Sequence, residues 1–235
     1  MSISINKYIS DSGFCSRRQA DALIEQGRVY INEQLALKGN RVEEKDVVYI
    51  DDEPLKKQNK VVYIALNKPK GITCTTDRSD KTNIIDFVNF HQRIFPIGRL
   101  DKLSDGLIFL TNDGNIVNKI LRSSNQHEKQ YLVYVDKPIT QEFVDTMKKG
   151  VKIDGVWTKK CQVIPKGKNA FTIILKQGLN RQIRKMCETL GYKVITLTRT
   201  RIMHITLHNI KPGTWRFFTP QEIKELNVLL KDSNN

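Results

Sequence analysis

Gly98-Arg99-Leu100-Asp101-Lys102-Leu103-Ser104-Asp105-Gly106-Leu107-Ile108-Phe109-Leu110-Thr111-Asn112-Asp113-Gly114 is the stretch on which the fold of this chain is read. Leu107 to Leu110 is an unbroken apolar run of strand length, and Thr111 to Gly114 closes it with turn residues. Ahead of the strand, one carboxylate, Asp101, stands in a polar loop among basic and small residues. An aspartate in such a loop can simply cap a turn. A calcium loop beginning at Asp101 is excluded, because its third and twelfth positions are Leu103 and Asn112 rather than oxygen-rich Asp/Asn and Glu. Asp101 and Asp105 as a glycosidase pair lack the surrounding aromatic platform a sugar would need.

Downstream, Gln177-Gly178-Leu179-Asn180-Arg181-Gln182-Ile183-Arg184-Lys185-Met186 reads as the entry to a helix with Asn180 as N-cap. Ile183, Met186, Cys187 and Leu190 form an apolar stripe, and Arg181, Arg184, Lys185 and Glu188 fall on the opposite face. Two arginines one turn apart at a helix start predict an anion site. Between the two stretches, Asp113–Leu121 reads as a short helix with Ile116, Val117, Ile120 and Leu121 on one face. Strands are expected at Val61–Asn67, Tyr131–Val135, Phe171–Leu175 and Ile202–Leu207. His127, His204 and His208 have no metal-ligand spacing.

Residues 1–60 read as a separate helix–helix–strand module. Ile5, Tyr8 and Ile9 share a helical face that Gly13 ends, and Ser16-Arg17-Arg18-Gln19 fits a capping box. Gly27 suits the C′ position, with strands at Val29–Asn32 and Asp46–Ile50. Glu53 to Lys60 reads as a linker. The charge divides at the same place. Residues 1–60 carry 10 Lys/Arg and 10 Asp/Glu, whereas residues 61–235 carry 29 and 15 and so hold the whole net charge of +14. A basic excess of this kind predicts a polyanion partner, since cations release counterions from phosphate backbones. No apolar run approaches the roughly 18 residues of a membrane span, and residues 1–9 have no signal-peptide core. The four cysteines include no C-x-x-C pair, which predicts a reduced, cytoplasmic protein without disulfides or zinc.

Arg-Leu-Asp, Ser-x-Gly, an apolar strand and Thr-Asn-Asp-Gly together resemble the signature loop of pseudouridine synthases, in the branch that modifies ribosomal RNA. Leu66-Asn67-Lys68-Pro69-Lys70-Gly71 is similar to that family's first motif, Lys129-Gln130-Tyr131 to its Lys-x-Tyr, and Gly178 to Arg184 to its Gly-x-x-x-Gln-Ile/Leu-Arg. Residues 1–60 resemble an S4 RNA-binding domain. The resemblance implies an α+β fold: a small S4-like module (1–60), then a catalytic domain (61–235) with a mixed, mostly antiparallel sheet and a central cleft.

It implies Asp101 as the essential carboxylate, Arg184 as its ion-pair partner and Tyr131 as the ring packed on the flipped uracil, with no cofactor and no metal. Arg99 corresponds to the arginine that enters the base stack. Leu100, Lys102, Arg181, Gln182, Ile183, Arg184 and Lys68 would touch RNA in the catalytic domain, as would Lys7, Arg17, Arg18, Arg28 and Asn32 in the S4-like module. Asn83–Val88, Phe95–Asp101 and Arg199–Met203 are most similar to members acting on 23S rRNA, a type with which transfer RNA is associated. A monomer with an RNA substrate is expected. The rivals are a sister enzyme acting on 16S rRNA or another 23S site, and a non-catalytic RNA-binding assembly factor that kept the scaffold.

Overall fold

The computed structural model describes residues 2–56 and 60–233 and divides into two compact units. The first comprises Met1–Val62 with Phe90–Ile94 and Asn112–Gly114; the second comprises the remainder.

In the first unit, helices Ile5–Asp11 and Arg17–Glu25 bury Ile5, Ile9, Ala20 and Ile24 against Val29, Ala36, Val42, Val48 and Ile50. The second helix starts where local chemistry dictates. The Ser16 hydroxyl accepts from Gln19 N, and the Gln19 side chain accepts from Ser16 N, so two otherwise orphaned donors are satisfied reciprocally. Strands Gln34–Leu35, Val29–Ile31, Val48–Ile50 and Glu53–Pro54 form one antiparallel sheet in that order. Glu53 and Pro54 are thus an edge strand and not linker, an edge being the one place in a sheet where proline's missing N–H costs nothing. Residues 57–59 of the expected linker lie outside the described residues.

The second unit is built on a sheet whose strands run Gln162–Pro165, Ala170–Leu175, Lys129–Val135, Val194–Ile202, Asp105–Thr111, Tyr63–Lys68 and Trp215–Phe217. Neighbours are antiparallel except Val194–Ile202 against Asp105–Thr111, which pair in parallel at Thr198↔Asp105 and Arg199↔Gly106. Along its remaining length the same edge of Asp105–Thr111 pairs with Phe95–Ile97. Residues 98–104 therefore leave the sheet where its centre opens between two strands, and re-enter it at the parallel contact.

That contact is tight. Gly106 has φ +106°, and a Cβ there would lie 2.6 Å from Arg199 N and against the Arg199 carbonyl, so only glycine fits. Phe109 is 1% exposed and meets Phe218 edge-on at 4.8 Å, in a core with Leu107, Ile116, Ile120, Ile202, Ile205 and Leu226. Ile202–Leu207 is not one strand. Ile202 ends the long Val194–Ile202 strand, Met203 turns at φ +53°, and Ile205–Thr206 folds back on it. The alternating Thr and Arg side chains of Val194–Ile202 hide a central strand from a search for apolar runs.

Candidate active site

The Asp101 loop is held by its own backbone. Ser104 N donates to the Asp101 carbonyl at 2.9 Å, Gly71 N to the Lys102 carbonyl at 2.8 Å, and the Cys74 thiol to the Leu100 carbonyl at 3.2 Å. Two arginines clamp it through carbonyls and a hydroxyl. Arg184 Nη2 donates to Ser104 Oγ at 3.1 Å and to the Leu103 carbonyl at 3.5 Å, while Nη1 reaches the Val194 carbonyl at 3.4 Å. Arg199 Nε donates to the Leu107 carbonyl at 2.6 Å and Nη1 to the Arg99 carbonyl at 3.4 Å.

Arg184 Nε lies 3.9 Å from Asp101 Oδ2, an ion pair just outside hydrogen-bonding distance. The arginine side chain is 9% exposed and the aspartate 34%, so a buried cation faces a carboxylate open to solvent. Arg184 is therefore on the buried side of its helix, not on the exposed face that its spacing suggests. The helix itself is Gln182–Thr189. Its N-cap is Arg181 in the left-handed conformation, without a side-chain cap bond, and not Asn180. Arg181 is exposed and precedes the first turn, so it does not stack with Arg184 as one helical anion site.

Asp101 opens onto a cavity of about 670 Å³ lined by Arg99, Leu100, Lys102, Lys129, Tyr131, Gln182, Ile183, Arg199 and the Gly178–Arg181 loop, among others. Tyr131 is 9% exposed, on the same strand face as Lys129 and Val133. Its hydroxyl has no protein partner among the described residues. Arg99 and Lys102 are exposed.

Four expected RNA contacts take other roles. Lys68 is fully buried, with Nζ donating to the Pro69 and Ile72 carbonyls at 3.0 Å each, so it ties the first motif's turn and cannot reach a phosphate. Burial holds its pKa below the usual lysine range. Leu100 is 7% exposed and packs inward, so its side chain is not on the RNA backbone. Gln182 is 4% exposed, and its carbonyl accepts from Leu179 N and Gln177 Nε2, which shapes the Gly178–Arg181 loop from within. Ile183, 4% exposed, meets the cavity only as apolar wall.

In the first unit, Arg17 and Arg18 are exposed and make no ion pair among the described residues, whereas Lys7 is paired with Asp11. Arg28 forks onto Asp51 at 2.7 and 2.5 Å, so its guanidinium is already paired with a carboxylate. Asn32, at φ +55°, bridges Asp46 and Val47 N and so closes a turn instead of presenting its amide freely.

Two cavity residues were quoted in motifs but not singled out from sequence: Lys129 and Arg199. Lys129 stands two residues from Tyr131 and so shares its strand face, but Arg199 joins them only through the register that sets it opposite Tyr131. Among the described residues, no group of three His, Cys, Asp or Glu could hold a metal. None of the described helices is long and apolar enough to cross a membrane.

A carboxylate beside a buried guanidinium, at the mouth of a recess carrying a tyrosine ring, suits chemistry on a planar base. The model of the RNA pseudouridylate synthase domain matches residues 62–189, and that of the S4 domain matches residues 4–61. The chain belongs to the pseudouridine synthase family. It is 53% identical to the dual-specificity RNA pseudouridine synthase RluF of Escherichia coli (strain K12), over all of this chain and 81% of that protein. It is 32% identical to ribosomal large subunit pseudouridine synthase B of Bacillus subtilis (strain 168), over 98% of each. A crystal structure of a pseudouridylate synthase superposes with a TM-score of 0.70 at 27% identity, covering 95% of this chain and 99% of that one. The expected α+β fold, S4 domain followed by a mixed, mostly antiparallel sheet, is the one observed. This pseudouridine synthase is accordingly an RNA-modifying isomerase.

Proposed function

We propose that this synthase converts one uridine of 23S rRNA to pseudouridine, and a transfer RNA uridine as well, by flipping the nucleotide into the Asp101 cavity. The observation that carries the reading is the Asp101–Arg184 pair at 3.9 Å on a 670 Å³ recess that also holds Tyr131. The reaction breaks the C1′–N1 bond, turns the base and rejoins it through C5, with the C5 proton lost and one gained at N1. It moves no electrons to an acceptor and needs neither redox cofactor nor metal. Asp101 is the carboxylate beside the ribose, competent as nucleophile or base.

Tyr131 stacks on the uracil, an interaction worth about 1–3 kcal/mol. Arg99 fills the gap left in the RNA stack, which offsets part of the few kcal/mol of base extraction. Lys102 and Arg181, both exposed at the cavity, bind phosphates. Residues 1–60 act as an RNA-binding domain through Arg17 and Arg18, and residues 61–235 as the catalytic domain, in a monomer working in the cytoplasm where both RNAs are found. The large-subunit name of the Bacillus subtilis relative and the dual-specificity name of the Escherichia coli one support the choice of substrates. Mapping pseudouridines in 23S rRNA and transfer RNA from a strain lacking this gene tests it. One 23S site and one transfer RNA site should disappear and return on complementation; loss of a 16S site instead would identify a sister enzyme.

A further inference from the structure

A base cut loose from its ribose carries charge, and the cavity lining carries two cations, Lys129 and Arg199, that no acid of the described residues pairs with. Lys129 and Tyr131 lie two residues apart on one strand and face the same way. Tyr131 pairs directly across to Arg199, whose side chain therefore shares that face. Lys129 is 9% exposed and lines the cavity, and its ammonium has no hydrogen-bond partner among the described residues. Its own cross-strand neighbours, Leu175 and Ile202, are apolar. Arg199 is 4% exposed; two of its nitrogens bind the Leu107 and Arg99 carbonyls, but Nη2 is buried without a hydrogen-bond partner among the described residues.

Burial and the charge of Arg199 push the Lys129 pKa down to about 8. The other titratable groups around it are His127 just ahead on the chain and, around the cavity, Asp101, Arg99, Lys102, Arg181, Cys74 and Tyr131. Asp101 is the only acid among the described lining residues, and it already faces Arg184. Unpaired buried cations are costly. A site that retains two of them is shaped for a ligand that brings the negative charge.

We propose that Lys129 and Arg199 form the anion seat of the reaction, gripping the carbonyl oxygens of the flipped uracil and stabilising the base as an anion once its bond to ribose breaks. This deepens the function proposed above and rests on it. The electron pair of the C1′–N1 bond departs with the base and spreads over N1 and the oxygens at C2 and C4. When C5 joins C1′, C5 gives up its proton and N1 takes one, so charge and atoms balance without a co-reactant. A preorganised cation aimed at such developing charge is worth about 10²–10³ in rate. A backbone phosphate is the other anion RNA offers, but the exposed Arg99, Lys102 and Arg181 are the cations within its reach.

The test uses the full chain with 5-tritiated 23S rRNA, measuring single-turnover tritium release and, separately, RNA affinity by filter binding. Lys129→Met should lower the rate about 10²-fold with affinity within twofold of native, and Lys129→Arg should recover much of the loss. In the native protein kcat/KM should fall as pH rises through about 8, because the neutral amine cannot hold an anion. Lys129→Arg should lack that fall. A native profile flat from pH 7 to 9 overturns the proposal without any variant. So does an unchanged rate in Lys129→Met beside an inactive Asp101→Asn, or a loss confined to affinity, which would make Lys129 a phosphate contact. Activity in Asp101→Asn would instead overturn the function on which this seat depends.

Discussion

Replacing Arg184 by methionine removes the cation facing Asp101 while keeping most of the buried volume. At 3.9 Å, two unit charges attract by about 4 kcal/mol in a surface-like dielectric near 20, and by about 1 kcal/mol in water. Asp101 is one-third exposed, so its environment falls between these limits. The rate should drop between about fivefold and about a thousandfold, with about 10² as the central value. RNA affinity should hardly change. Arg184 is 8% exposed, and its Nη atoms are spent on Ser104, Leu103 and Val194, out of reach of a phosphate. Arg184→Lys should be nearly as slow, because a single ammonium cannot make the three-way clamp. Single-turnover tritium release gives the rate and filter binding the affinity. A variant that binds RNA ten times more weakly but reacts at the native rate would refute the ion-pair role.

Three further outcomes follow from the packing. Gly106→Ala should lower the melting temperature and the activity together, by about 1–3 kcal/mol or more in stability, since its Cβ meets the Arg199 backbone; an unchanged melt would mean that the parallel strands part at no cost. Lys68→Met should cost about 1–3 kcal/mol through two abandoned carbonyls yet leave the salt dependence of RNA binding alone, whereas a phosphate contact would reduce that slope by about one. Lys129→Met should stabilise the protein at pH 7 by at most about 3 kcal/mol. The folded state holds the Lys129 proton less tightly than the unfolded chain does, with a pKa near 8 against 10.5. Native stability therefore rises with pH across that window, and the advantage of the variant shrinks there. Equal melts at pH 7 would show the ammonium to be well solvated.

What the sequence disclosed follows the range of the interactions involved. The capping box at Ser16 and Gln19 and the apolar run Leu107–Leu110 are local signals, and both elements form where the residues place them. Val194–Ile202 escaped because a strand at a sheet's centre is recognised by what flanks it, and its threonines and arginines find their partners on other strands. Lys68 and Arg184 look like exposed cations in the sequence because charge does not report burial; carbonyls from distant or turning backbone make both sites tolerable. The Asn180 cap failed because Arg181 adopts the left-handed conformation and starts the helix one residue later than a side-chain cap would. Lys129 and Arg199 became visible only once the register set Tyr131 opposite Arg199.

The Asp101 carboxylate is the group without which the rest of the cavity has no reaction to serve. Asp101→Asn keeps the size of the side chain and removes its charge, so the loop held by Arg184, Arg199 and Cys74 should persist. Incubated in excess over 5-tritiated rRNA, this variant should bind the RNA as the native chain does and release no tritium above background. Release at the native rate would contradict the account.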